Sequence, residues 1–161
     1  MKEIKKAYQA LVKALGFECL GCAKCDHLDN PNSKILLMKE EVERIKKNGK
    51  LYGIIPYDKI YGITGYLKLK PNKNECIFLD KNNKCKIHDY KPLICYIHPF
   101  PLFTTGFVFG GGMVFDTKCS WVIKNRKKVD KPSKEVQDAY NQLYKFVWEY
   151  KIKYLTKTKI I

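Results

Sequence analysis

Seven cysteines divide this chain into two groups and a straggler, and that division constrains the fold more than any other feature. Cys19, Cys22 and Cys25 sit in one short run, FECLGCAKCDHLDNP. Cys76, Cys85 and Cys95 lie far downstream in ECIFLDKNNKCKIHDYKPLICYIHPF, and Cys119 stands alone beyond them. Thiolates spaced two residues apart can turn to one side and meet a single soft metal centre. The fold must then bring the remote group toward the first. Seven is odd, so disulfides cannot use every thiol, and metal ligation is the favoured explanation for a chain expected in the reducing cytoplasm.

Composition narrows the class. The 161 residues suffice for one domain with a real core, and 45% apolar with 29% charged residues is ordinary for a globular protein. No run of about 18 apolar residues occurs, so no membrane-spanning helix is expected. Lys13 interrupts the apolar part of the N-terminal stretch and no cleavage site follows, so that stretch is read as a helix of a mature cytoplasmic protein. The formal charge is +15, but only Arg44 and Arg126 among 31 basic residues are arginine. Lysine is a solvated point charge without the arginine fork, so the first reading is a solvated lysine surface, as in a Lys-rich thermophile. The second is a weak, salt-sensitive attraction to nucleic acid or another polyanion.

Periodicity places the elements. Ile4, Tyr8, Leu11, Val12 and Leu15 predict a helix over 3–15, with Gly16 as its stop. A short strand at Ile35-Leu36-Leu37 leads into a helix over MKEEVERIKKNG, with Val42 and Ile45 inward and Gly49 at its end. Leu51–Ile55 and Ile60–Leu69 read as strands. Residues 74–100 read as a metal-binding module: Ile77-Phe78-Leu79 anchors it, Asp80–Lys84 turns, and Pro92 opens a short helix carrying Cys95 that Pro99 and Pro101 end. LFTTGFVFGGGMVFDTKC reads as a hairpin turning at Gly110-Gly111-Gly112; it lacks the GxGxxG order of a phosphate loop. After Ser133, Val136, Tyr140, Leu143, Val147, Tyr150 and Tyr154 step by four and three, predicting a long helix with a core face. The expected architecture is α+β: a small compact single domain of short strands, a hairpin and N- and C-terminal helices, organised around a cysteine metal site. Its cysteine core spans about 17–119 and its C-terminal helix about 133–155.

Two chemistries compete for the cysteines. A zinc site takes four Cys or His ligands in a tetrahedron, yet the paired C-x2-C then C-x2-C of ribbons and fingers is absent. Cys19-x2-Cys22-x2-Cys25 matches the first three cysteines of a bacterial ferredoxin run, where a fourth would stand at the position of Asp29. A remote cysteine must therefore close an iron–sulfur cluster. His27 is read as a surface loop residue, with ligation as the alternative. His88 and His98 flank Cys95 and are read as packed or hydrogen-bonded rather than as ligands. Cys19, Cys22, Cys25, Cys76, Cys85 and Cys95 are the expected ligands, with Cys119 behind them; Asp26, next to Cys25, reads by itself as a solvated loop carboxylate.

These residues together resemble the CxxCxxCC family of zinc- or iron-chelating proteins, also called YkgJ-like. The resemblance runs from Phe17 through the three clustered cysteines and the MKEEVERI helix. It continues through Cys76-Ile-Phe-Leu, Cys85-Lys-Ile-His, Lys91-Pro92, Cys95 and His98-Pro99-Phe100. Three positions depart from the family pattern. Asp26 replaces the fourth clustered cysteine, His88 a tyrosine, and Lys91 an arginine. If all eight family cysteines are ligands, Asp26 supplies a carboxylate here, which hardens the site and favours iron over zinc; an unused position is the alternative. The resemblance implies metal binding by an iron–sulfur cluster or zinc. It leaves open a redox or accessory role, a structural-zinc module for nucleic acid or protein, and, through relatives named after lysine N-methylases, a part in protein modification. No strand–GxGxG–helix fingerprint for S-adenosylmethionine is present.

Overall fold

In a computed structural model, residues 1–22, 24, 35–57, 63–102 and 113–155 are described. They fall into two compact units that interleave along the chain. The first comprises Met1–Leu20 and Ile97–Lys153; the second comprises Gly21–Tyr96 and the described residues after Lys153.

The first unit is helical. Helix α1 (Lys2–Leu15) buries Ile4, Ala7, Leu11 and Leu15, one stripe at helical spacing. Tyr8 and Val12 border that stripe and are half-buried. Gly16 ends α1 as the sequence predicts: at φ 67° it donates to the Lys13 carbonyl, and the Phe17 N–H reaches back to Val12. This paired closure requires a left-handed residue, for which glycine carries no Cβ penalty.

Helices α4 (Ser120–Lys124) and α5 (Arg126–Asp130) follow Cys119 and meet at Asn125. Neither is long enough to show a period, and neither is expected from the sequence. Helix α6 (Lys134–Leu155) opens with the Ser133 hydroxyl accepting the Val136 N–H at 3.3 Å. Its predicted core face is real: Val136, Tyr140, Leu143, Val147 and Tyr150 are all buried. Aromatic edges complete this unit. Phe100 meets Tyr8, Phe115 and Tyr140, and Phe17 meets Trp121 at 5.2 Å between centroids.

The second unit carries a three-stranded antiparallel sheet, β1 (Leu36–Met38), β2 (Ile54–Pro56) and β3 (Ile63–Leu67), in the order β1-β3-β2. Leu37 pairs with Gly65 on one side of β3, and Pro56 pairs with Gly65 on the other. Pro56 sits on an edge strand, where its missing N–H is tolerated. Helix α2 (Lys39–Lys47) leaves β1 at once, and Gly65 lets it settle: a Cβ there would lie 3.3 Å from Val42 and 2.9 Å from Ile54.

The expected strand over Leu51–Ile55 is half corrected. Leu51–Gly53 is a 3₁₀ turn with Leu51 and Tyr52 exposed, and only then does β2 begin. Packing supplies the reason. Gly53 lies against the Phe78 ring so closely that any Cβ would enter it, and Tyr52 meets the same ring edge-on. Of the expected strand over Ile60–Leu69, Ile63–Leu67 forms β3 and Leu69 makes an isolated bridge to Cys76, residues 58–62 lying outside the described residues. The expected hairpin around Gly110-Gly111-Gly112 also lies outside them.

No helix among the described residues is long and apolar enough to cross a membrane.

Candidate metal centre

The downstream cysteines are built into the core of the second unit by two equivalent turns. Lys68–Lys70 and Glu75–Ile77 pair as a hairpin beyond β3, which delivers Cys76 opposite Leu69. The Cys76 carbonyl then accepts the Leu79 N–H at 3.0 Å. Nine residues on, the Cys85 carbonyl accepts the His88 N–H at 3.2 Å. Each cysteine therefore opens a four-residue turn, Cys-Ile-Phe-Leu and Cys-Lys-Ile-His. The third residue of each is fully buried, Phe78 in one and Ile87 in the other.

Between the turns, the predicted bend at Asp80–Lys84 is present. The Asp80 N–H donates to the Lys84 carbonyl, and Asp80 Oδ1 accepts the N–H groups of Asn82 and Lys84, both at 2.8 Å. Asn83 takes φ 60°, a conformation asparagine tolerates. The Lys84 N–H is the main reason the Asp80 carboxyl is held below its usual range; the Asn82 N–H and the charges of Lys84 and Lys86 assist.

Cys95 arrives differently. It sits on the one-turn helix α3 (Leu93–Tyr96), which follows Pro92 as the sequence predicts. One turn is too short to be stable alone, and bonds from α2 hold the start of this helix. Glu41 Oε1 accepts the Leu93 N–H at 2.6 Å, and Oε2 accepts the Met38 N–H at 2.9 Å. One turn further along α2, Arg44 donates through Nε to the Tyr90 carbonyl and through its terminal nitrogen to the Lys91 carbonyl. Glu41 is only 2% exposed. Burial pushes its carboxyl above the ordinary value, against the pull of the two N–H donors and of Arg44.

Sequence reading missed the roles of both Glu41 and Arg44. A Glu in the KEEVERIKK run is ordinarily a solvated side chain. The available signal was its place as the third residue of a helix, where Glu commonly reaches back to the N-cap N–H.

Cys76 belongs to one hydrophobic cluster with Ile35, Leu37, Ile45, Leu67, Phe78 and Ile87, and Cys85 and Cys95 pack against it. The cluster thus collects three of the expected ligands on one body. All three are thiols and not halves of disulfides, as are Cys19, Cys22 and Cys119. This donor set fits zinc or iron by its softness. It does not form a closed ligand sphere: among the described residues, no group of three or more Cys, His, Asp or Glu side chains is close enough to hold an ion.

The other expected residues are placed as follows. Cys19 is exposed in the first unit and Cys22 is exposed in the second. Cys25, Asp26 and His27 lie outside the described residues. Cys119 is buried in the first unit, where it caps α4 and donates its N–H to the Asp116 carbonyl. His98 belongs to that unit as well. Its Nδ1 lies 3.6 Å from Asp116 Oδ2 and its carbonyl accepts the Tyr8 hydroxyl at 2.7 Å, in keeping with a packed histidine. His88 departs from that expectation. Its side chain is 71% exposed, since the turn from Cys85 buries Ile87 and so turns the next residue outward.

Three thiols thus sit in or against the core of one unit, two of them at the start of short turns, as in a cysteine-rich domain. Residues 18–122 match the CxxCxxCC family, described as a "putative zinc- or iron-chelating domain". The match covers well over half of the chain, which therefore belongs to this family.

Two curated relatives come from Methanocaldococcus jannaschii. The uncharacterized protein MJ0661 is 31% identical over 107 residues, covering 62% of this chain and 53% of its own length. The uncharacterized protein MJ0939 is 27% identical over 163 residues, covering 95% of this chain and 55% of its own length. The chain thus spans about half the length of the curated relatives it matches. No solved structure matches.

Proposed function

We propose that this chain is a cytoplasmic metal protein holding an iron–sulfur centre of the [4Fe–4S] kind, in a redox or accessory role. The observation that carries the reading is the seating of Cys76, Cys85 and Cys95 around one apolar cluster in a chain of a zinc- or iron-chelating family. The sequence expects Cys19, Cys22 and Cys25 as further ligands, with Cys119 and Asp26 behind them. The ferredoxin-like two-residue spacing of the run favours iron–sulfur over zinc. An iron–sulfur cluster, when bound, supplies one-electron chemistry. What the chain contributes is thiolate ligation and an apolar wall that limits water.

Anaerobic purification followed by visible absorption and by iron, zinc and acid-labile sulfide analysis tests this. Iron and sulfide together are expected. A colourless protein with stoichiometric zinc and no iron overturns the iron–sulfur assignment, and a protein that takes up no metal overturns chelation itself.

A second reading, a zinc-stabilised module that binds nucleic acid, draws on one surface feature. Lys124, Arg126, Lys127, Lys128, Lys131 and Lys134 are all exposed along α4, α5, the connection after α5 and the start of α6. Such a surface would hold a phosphate backbone by counterion release, so affinity for a mixed-sequence oligonucleotide should fall steeply with added salt. Binding indifferent to salt refutes it.

A further inference from the structure

We propose that Glu41 and Arg44 form a clamp on α2 whose role is to position Cys95 as a metal ligand. The proposal rests on the chelating reading above and deepens it.

Three observations converge on the clamp. The residues before Cys95 are pinned at three backbone atoms: the carbonyls of Tyr90 and Lys91 by the two prongs of Arg44, and the Leu93 N–H by Glu41. All three bonds come from side chains three residues apart on α2, which share one face of the helix. Between the pinned atoms stands Pro92, which has no N–H to offer and keeps Lys91 extended; its carbonyl accepts the Tyr96 N–H at 2.9 Å, which closes α3 but does not hold the start of the segment to α2.

The expense of the arrangement is the second observation. A carboxylate that is 2% exposed must be repaid by hydrogen bonds, and both of its oxygens are used. A cap for α2 needs only one of those oxygens. The second is spent on the start of α3, two residues before Cys95.

The third observation is selectivity. Cys76 and Cys85 are placed by backbone hydrogen bonds within their own turns. The segment that leads into Cys95 is held in addition by two side chains of α2. The three bonds fall on the segment that carries one ligand of the set, so their effect is expected first at Cys95.

Arg44→Lys is the decisive variant. It keeps the charge, but one ammonium cannot reproduce a planar fork on two carbonyls. Glu41→Gln is the companion, because an amide presents a donor where a backbone N–H needs an acceptor. Two readouts on the full chain separate positioning from stability.

The first is Co²⁺ affinity in a double-mutant cycle. Each clamp variant is expected to weaken Co²⁺ binding by about tenfold or more, as supporting residues around metal ligands do. Adding Cys95→Ser to a clamp variant should then cost less than it costs the parent, whereas Cys85→Ser should cost the same in both backgrounds. Equal penalties for Cys95→Ser with and without the clamp overturn the proposal.

The second readout is the rate of thiol modification in the metal-free chain, followed residue by residue by mass spectrometry. The clamp variants should accelerate modification of Cys95 and leave Cys85 unchanged. A uniform acceleration of both, or none, overturns the clamp. A parent chain that binds no Co²⁺ but shows the Cys95-selective acceleration refutes the metal reading and keeps the clamp as a device that fixes this thiol.

Discussion

The two cysteine groups use the same residue for opposite situations. Cys76 is 2% exposed inside the cluster of the second unit, with Cys85 and Cys95 against it, whereas Cys19 and Cys22 face solvent. The downstream thiols are held by apolar packing and backbone turns that exist without metal. The exposed thiols of the N-terminal run draw no such support from a core. Metal binding should therefore be coupled to core packing at Cys76, Cys85 and Cys95 and much less so at the exposed Cys19 and Cys22. The strongest way to break this contrast is to remove the packing itself.

Phe78→Ala should cost about 3–5 kcal/mol in the metal-free chain, because Phe78 is fully buried and its ring seats both Gly53 and Tyr52. Urea unfolding measures this, and a loss below about 1 kcal/mol would show that the cluster is not the core of the unit.

Cys76→Ser should cost about 1–3 kcal/mol in the same metal-free assay, since a hydroxyl is placed where an apolar sulfur was buried.

A pH dependence sharpens the contrast further. Burial raises the Glu41 carboxyl above its ordinary 4.5 in the native chain. The unfolded chain therefore releases this proton first as pH rises. Between the ordinary and the raised value the native state binds more protons at this group, so the contribution of Glu41 to stability is fully present below 4.5 and is lost as pH rises through the raised value. Glu41→Gln should flatten this slope in metal-free unfolding measured across acid to neutral pH. An unchanged slope would assign it to another group. Asp80 does not confuse the reading: its carboxyl is lowered from 3.8, so its contribution is lost only at more acid pH.

The smallest effect belongs to the exposed run. Cys19→Ser and Cys22→Ser should change metal-free stability by no more than about 0.5 kcal/mol, while reducing the metal retained after purification. A destabilisation matching that of Cys76→Ser would erase the difference between the groups.

Much of the scaffold was legible beforehand. The stripes of α1 and α6, the Gly16 stop, the Asp80–Lys84 bend and the short helix after Pro92 follow from periods and turn chemistry contained within each segment. The candidate ligands were legible as a set, because cysteine spacing is itself local. Their division into buried and exposed was not. Cys76 and Cys19 carry the same side chain, and only the company of Phe78, Leu67 and Ile45 buries one of them.

Sequence alone therefore determined the membership of this chain in a metal-chelating family, its helical stripes and its turn-borne cysteines, since each is a pattern over neighbouring residues. Tertiary structure alone decided three things. Leu51–Gly53 coils where a strand was expected, because the Phe78 ring occupies the space beside Gly53. His88 turns outward because Ile87 turns in. Glu41, in a run that looks solvated, is buried to serve an N–H 52 residues away. No local pattern encodes such a partner, because hydrogen-bond demand in an interior is set by whichever backbone group the fold brings there.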